Sequence, residues 1–314
     1  MFRLLPRSRA PRRVFPLGGL ALAGLLALAA PRAHAAGAVG DLFVTSDASN
    51  LVRAYAGATG SALGVYTASV LGSGQLAIHF GAANNRVLVG HFGGGVDEFD
   101  ATTGAYIKTY APAGGWQWAG VYGPNGNVYI SSQFTNDVRE YDVNTGARVG
   151  VLCPVNGPAD MEYGPNGNLY ICSYNLGAVF EGHPVTGAPV FAWNLPAGRA
   201  NDIAFLPGGR VVVTAMGTNV AYVYDPPPVL LTSFAGTGWQ RPHGAVVSPH
   251  TGHLLIADGV TTQVHEFDPN TFAELNAAFL TPNPGDKIVD VAFQPEHPTP
   301  AASSTWGRLK SRYR

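Results

Sequence analysis

The chain has 314 residues, 46% of them hydrophobic and only 12% charged, with 40 glycines and 24 prolines. Low charge with abundant Gly and Pro suits many short strands joined by tight turns, and the length allows one to three domains. The formal net charge is −1, yet most of the basic surplus lies at the two ends; the acidic body between them repels phosphate backbones, which argues against a nucleic-acid partner.

Residues 1–35 carry Arg3, Arg7, Arg9, Arg12 and Arg13, then an apolar run over residues 17–30, then Ala33-His34-Ala35. A basic head, a short apolar middle and an A-x-A end read as a secretory signal peptide, and the run is too short for a comfortable membrane span. Arg12-Arg13-Val14-Phe15 resembles a twin-arginine export signal, while Pro11 and Pro16 leave the general secretory route open. The expected location is therefore periplasmic, extracellular or at the cell surface, with no transmembrane helix in the mature chain. Loss of this leader takes away six basic residues and brings the net charge to about −7.

From residue 36 onward the chain repeats itself. Its most regular strand-like triplets are Leu42-Phe43-Val44, Val87-Leu88-Val89, Val128-Tyr129-Ile130, Leu169-Tyr170-Ile171, Val211-Val212-Val213 and Leu254-Leu255-Ile256. Their first residues lie 45, 41, 41, 42 and 43 positions apart. A period of about 42 residues without helical i, i+3, i+4, i+7 stripes signals propeller blades of four strands each. Two copies share a phrase almost letter for letter, Tyr122-Gly123-Pro124-Asn125-Gly126-Asn127 and Tyr163-Gly164-Pro165-Asn166-Gly167-Asn168. Pro fixes φ there and Asn and Gly tolerate positive φ, as a tight turn between antiparallel strands requires. Each copy continues to an aromatic-Asp step, as at Phe99-Asp100, Tyr141-Asp142, Tyr224-Asp225 and Phe267-Asp268, and often to a Thr-Gly turn.

The body opens directly on a triplet near Asp41 and closes on a spare inner strand, Val289-Asp290-Val291-Ala292-Phe293. That last strand is expected to complete the first blade and leave no free inner edge. The predicted fold is all-β: a six-bladed β-propeller over residues 36–297 with four antiparallel strands per blade, seven blades being the alternative if one repeat is misread. Residues 298–314 form a Pro/Ala/Ser linker and a basic aromatic tail with Trp306, Leu309 and Tyr313, either a solvated terminus or a surface-attachment signal.

With these residues in view, a resemblance can be stated. Gly164-Pro165-Asn166-Gly167-Asn168-Leu169-Tyr170, with Pro158 before it and Pro242-His243-Gly244-Ala245 in a later blade, resembles NHL-type repeats and the related blades of virginiamycin B (streptogramin) lyase. The resemblance covers about residues 40–297 and implies the propeller fold. Such propellers include lyases, lactonases, amidating lyases and plain binding modules, so it selects no activity. It implies that a His near the channel could act as general base in opening a cyclic ester, and His243 is the candidate base by position. The acidic residues that accompany such a base, and the metal pattern of gluconolactonase-type propellers, find no match here.

In propellers the innermost strands line a central channel. Aligning the six inner strands gives a column Ala77, Ala119, Asp160, Asp202, Gly244 and Asp290, preceded by Leu76, Trp118, Ala159, Asn201, His243 and Val289. The ligand-binding candidates are Gln117, Trp118, Asp160, Asn201, Asp202, His243 and Asp290, expected to converge at one channel mouth. Clustered carboxylates suit a divalent cation, Ca or Mg, with Asp160, Asp202 and Asp290 as its ligands. The same carboxylates equally suit bonding to backbone N–H groups and waters in a wet channel. His250 and His253 are too far along the chain to join His243 in a metal site and should flank a surface turn. Cys153 and Cys172 are expected to approach one face, which makes a disulfide possible beside the alternative of two buried thiols. No G-x-S-x-G, H-E-x-x-H, phosphate loop, dinucleotide fingerprint or C-x-x-C is present. The sequence thus points first to an exported, monomeric, non-enzymatic propeller binding a small molecule or protein at its channel mouth. A metal-assisted lyase or lactonase comes second, and a structural cell-envelope protein held by its tail third.

Overall fold

The computed structural model describes residues 37–68, 74–111 and 115–295; the expected leader and tail lie outside the described residues. All regular structure described is antiparallel β, in quartets. The first quartet contains β1 (Leu42–Ser46), β2 (Leu51–Tyr55) and β3 (Ala62–Ala68). Next come β4 (Gln75–Gly81), β5 (Arg86–His91), β6 (Val96–Asp100) and β7 (Tyr106–Tyr110). They are followed by β8 (Gln117–Tyr122), β9 (Val128–Ser132), β10 (Asp137–Tyr141) and β11 (Arg148–Pro154). Then β12 (Pro158–Tyr163), β13 (Leu169–Ser173), β14 (Ala178–Gly182) and β15 (Pro189–Asn194) form a sheet. So do β16 (Arg199–Phe205), β17 (Val211–Met216), β18 (Val220–Tyr224) and β19 (Leu230–Phe234). The last described strands are β20 (Pro242–Val247), β21 (Leu254–Asp258), β22 (Gln263–Phe267), β23 (Glu274–Asn276) and β24 (Ile288–Phe293).

The spare strand behaves as its sequence predicts. β24 pairs with β1, Leu42 opposite Phe293 and Thr45 opposite Asp290, so the first sheet runs β24-β1-β2-β3. The second and third quartets fuse into one eight-stranded sheet through a single pair, His91 with Gln117. The innermost strands β24, β4, β8, β12, β16 and β20 neighbour one another in turn and close a ring, the arrangement of a β-propeller.

Local chemistry explains the repeated phrase. Gly167 has φ of +83° and its N–H donates to the Gly164 carbonyl at 2.8 Å, which closes the turn. The Asn166 and Asn168 side-chain amides both donate to Glu181 Oε1 on β14, at 2.8 and 2.6 Å. Asn125 and Asn127 clasp Glu140 on β10 in the same way, at 2.8 and 2.6 Å. The G-P-N-G-N phrase therefore ties the inner hairpin of a blade to its third strand. Asn168→Ala should cost about 1–2 kcal/mol by leaving the buried Glu181 short of a donor, a loss readable as a lowered urea midpoint at unchanged slope.

The apolar triplets form the cores between blades. Phe43, Tyr66 and Phe99 are fully buried in one such layer, and Leu254, Ile256 and Phe267 in another. Alternation along the strands sends neighbouring residues to different layers, and this corrects the cysteine expectation. Leu169 and Ile171 pack in the layer that contains Cys153, so Cys172, one residue on, faces the other layer with Ile203 and Val213. Both thiols are free and buried rather than bonded. Burial raises the Cys153 pKa to about 11, with Asp137 adding to it, and pushes Cys172 well up as well. Thiol titration without reductant should find the native protein unreactive and two thiols on unfolding; none on unfolding would restore the disulfide.

Candidate functional site

Each inner strand carries a bulge at one level. On β4 the pairing with β5 jumps from Gln75–His91 to Ile78–Val89, so Leu76 and Ala77 together oppose one residue. The same jump occurs on β8 at Trp118 and Ala119, on β12 at Ala159 and Asp160, on β16 at Asn201 and Asp202, and on β20 at His243 and Gly244. On β24 it falls at Val289. The two columns picked from sequence are thus the two residues of a repeated β-bulge, a device that re-aims side chains. Hydroxyls of the second strands take up amides freed by the bulge: Ala119 N–H donates to Ser131 Oγ at 2.9 Å and Asp202 N–H to Thr214 Oγ1 at 3.1 Å.

The bulge separates the candidates into two tiers. The earlier column reaches the mouth, where a cavity of about 380 Å³ is lined by residues from all six quartets. Leu76, Trp118 and His243 come from the bulges, Phe92 and Tyr174 from loops after second strands, and Asp47 from the loop after β1. Gly74, Trp116, Gln133, Arg241 and, from the fifth quartet, Met216 complete the lining. Phe92 and Trp116 lie 4.6 Å apart between ring centroids and are 52% and 46% exposed. Trp118 stacks on His243 at 5.8 Å and 17° and touches Tyr174 at 5.5 Å. Arg241 Nη2 bonds Asp47 Oδ2 at 2.6 Å. His243 is buried, with Nδ1 2.8 Å from Asn201 Nδ2; when that amide donates, the ring proton resides on Nε2. Burial, reinforced by the Arg241 charge, lowers the His243 pKa to about 3, so the ring is neutral.

The later column lies in the channel. Asp202 Oδ1 accepts from Ile203 N–H at 2.6 Å and Oδ2 from Ala245 N–H on β20 at 2.6 Å. Asp290 repeats this with Val291 and, on β4, Ile78, both at 2.8 Å. These two carboxylates stitch neighbouring inner strands together. Asp160 Oδ1 accepts from Met161 N–H at 2.7 Å and lies 2.6 Å from His79 Nε2. His79, Asp160 and Asp290 bring ligand-type atoms within 4.8 Å of one another.

Sequence reasoning missed His79. It lies two positions beyond Ala77 on β4, the same face by alternation, and that parity was the available signal. Burial lowers its pKa, but the charge and hydrogen bond of Asp160, together with Glu162 and Asp290, more than offset burial and raise it to about 10. His79 at neutral pH is therefore an imidazolium, the cation that the carboxylates face. Burial, then the Asp160 charge, raises Asp202 and Asp290 well above the usual carboxylate range. Of the proposed metal set, Asp160 and Asp290 lie together and Asp202 stands outside the trio, where His79 takes its place; Asp202 and Asp290 both have their two oxygens engaged by backbone amides. Gln117 and Asn201 are buried behind the mouth rather than lining it, and His250 and His253 flank the surface turn between β20 and β21.

No protein-family model and no curated protein matches the sequence. Solved structures do match in fold. A chain of a nidogen/laminin complex aligns with a TM-score of 0.65 at 13% identity, over 82% of this chain and 99% of that one. A protein of unknown function from Bacteroides caccae aligns with a TM-score of 0.59 at 15% identity, over 81% and 98%. A catalytically inactive virginiamycin B lyase from Staphylococcus aureus, solved with quinupristin, gives 0.55 at 13% identity, over 69% and 73%. At such identities the likeness supports the propeller fold and no particular family.

Proposed function

We propose that this is an exported binding propeller whose ligand occupies the mouth cavity. The observation that carries the proposal is the cavity itself. It is concave, built by all six quartets, and walled by four aromatic side chains, two of them half exposed. Small-molecule sites are typically concavities of about 300–1,000 Å³ with apolar walls and a few placed polar groups. Export rests on the leader-like residues 1–35. Among the described residues no helix is long and apolar enough to cross a membrane.

The lyase or lactonase reading draws less support from the geometry. A general base works best with a pKa near the working pH, and His243 at about 3 is too weak a base to suit that role. In the channel, backbone amides and the His79 imidazolium already engage the carboxylates a divalent cation would need. A thermal-shift screen of the full chain against Ca²⁺, Mg²⁺, sugars and peptides tests both readings. A stabilising ligand whose effect disappears in Trp116→Ala supports the mouth site. Turnover of a cyclic ester that is lost in His243→Ala and Asp202→Asn would overturn the binding-only reading.

A further inference from the structure

The polar atoms around the mouth cavity restrict what it can hold. Three residues of the lining carry a side-chain donor that has no hydrogen-bond partner and almost no accessible surface, so that a ligand meets it only after a small side-chain shift: Trp118 Nε1, Gln133 Nε2 and Arg241 Nε. Trp118 is more than nine-tenths buried, so its idle N–H carries a desolvation cost of about 1–3 kcal/mol until an acceptor arrives. Behind the lining, the buried Asn201 leaves its Oδ1 unpartnered. A ligand that completes this site brings oxygen acceptors. That argues against a quaternary ammonium or other cation, although the aromatic walls alone would welcome one.

Charge narrows the choice further. The Arg241 guanidinium is paired with Asp47, and both line the cavity. Asp258 Oδ2 also accepts from the backbone N–H groups of Gln240 and Arg241, at 2.8 and 3.1 Å. A carboxylate or phosphate entering here would meet Asp47 beside a guanidinium already neutralised, with the acidic body around it. The polar edge is mixed and near neutral, a guanidinium paired with a carboxylate. Hydroxyl groups, which both donate and accept, match it.

The walls supply the last restriction. Trp116 and Phe92 pack against each other yet remain about half exposed, and Trp118 and Tyr174 continue the aromatic surface inward. Wide flat apolar surface at the rim of a concavity is costly to leave wet. A pyranose ring has an apolar face of C–H groups and an equator of hydroxyl and ether oxygens. It can lie against the exposed part of the Trp116–Phe92 pair while its hydroxyl groups meet the part-exposed Asp47–Arg241 pair. From these contacts we infer that the mouth cavity binds a neutral oligosaccharide. The inference rests on the mouth-site reading above and specifies its ligand.

The test is calorimetric titration of the full chain with cellohexaose, maltohexaose, xylohexaose and chitohexaose, alongside an oligogalacturonate and an end-capped neutral peptide. Trp116→Ala and Phe92→Ala remove exposed rings, and Leu231→Ala, on the outer strand β19, is the control; each variant is first checked for an unchanged unfolding midpoint. One of the neutral hexasaccharides should bind saturably, about tenfold or more weakly in either mouth variant and equally well in the control. Absence of binding by all four overturns the inference. So does oligogalacturonate or peptide binding in their place; if that binding is lost in Trp116→Ala, the mouth site stands and only its ligand class falls. Saccharide binding indifferent to both mouth variants overturns the inference and the mouth site together.

Discussion

Gly244→Ala should destabilise the protein by about 3 kcal/mol or more, the upper end of what overpacking costs. A Cβ built at this position would lie 2.0 Å from Asp290 Oδ1 and 2.7 Å from the Asp290 Cα. The side-chain atom could swing aside, but only by giving up the amides of Ile78 and Val291 that it and its twin oxygen accept. The Cα cannot move without shifting β24, the strand that completes the first sheet and closes the ring. One methyl group therefore strains the bulge of β20 and the closure at once. Urea unfolding should show a lower midpoint, and the Gly244→Ala/Asp290→Ala double variant should recover part of the loss, a coupling of about 1 kcal/mol or more. A midpoint within error of the wild type would mean that β20 and β24 do not approach as described.

What the sequence made legible, and what it hid, follows from how far each signal travels along the chain. The Gly-Pro-Asn-Gly-Asn turns, the period of the triplets and the unmatched Val289–Phe293 stretch are local, and they led to the quartets and their closure. The two candidate columns were also legible, because five of their six members sit nine to eleven residues before a triplet and the sixth, Val289-Asp290, lies in the matching spare strand. Their division into a mouth tier and a channel tier was not, since a bulge with two residues opposing one leaves no mark in a single sequence. His79 was hidden for another reason. Its partner Asp160 is 81 residues away, and nothing in Ile78-His79-Phe80 distinguishes an ion-paired histidine from a solvated one. The cysteines show the cost of judging proximity without parity: Cys172 is next to Ile171, which packs with Cys153, and for that reason faces away from it.

The second large effect is on pH dependence, and the two histidines set opposite limbs. A free histidine titrates near 6.5, whereas His79 in the native state titrates at about 10. The folded protein keeps a proton that the unfolded chain releases, so this contribution to stability is complete below about pH 6.5 and is lost as pH rises through about 10. His243 does the reverse. Its native pKa of about 3 means that the unfolded chain takes up a proton the folded one refuses, so stability drops as pH falls from about 6.5 toward 3. Asp202 and Asp290, raised by burial and by Asp160, retain protons that the unfolded chain gives up above its usual carboxyl pKa, so their contribution is present at low pH, opposes the His243 limb and is lost as pH rises through their raised pKa values. The His79 contribution gives an alkaline limb of at most about 1.4 kcal/mol per pH unit between about pH 6.5 and 10, and the His243 contribution an acid limb of the same limit between about pH 3 and 6.5. His79→Gln should flatten the alkaline limb and cost about 3 kcal/mol at pH 7, because the channel carboxylates then face no cation. His243→Gln should flatten the acid limb and leave the alkaline one in place. Urea midpoints measured from pH 4 to pH 10 separate the two, and an alkaline limb unchanged by His79→Gln would mean that the His79–Asp160 pair does not hold the channel together.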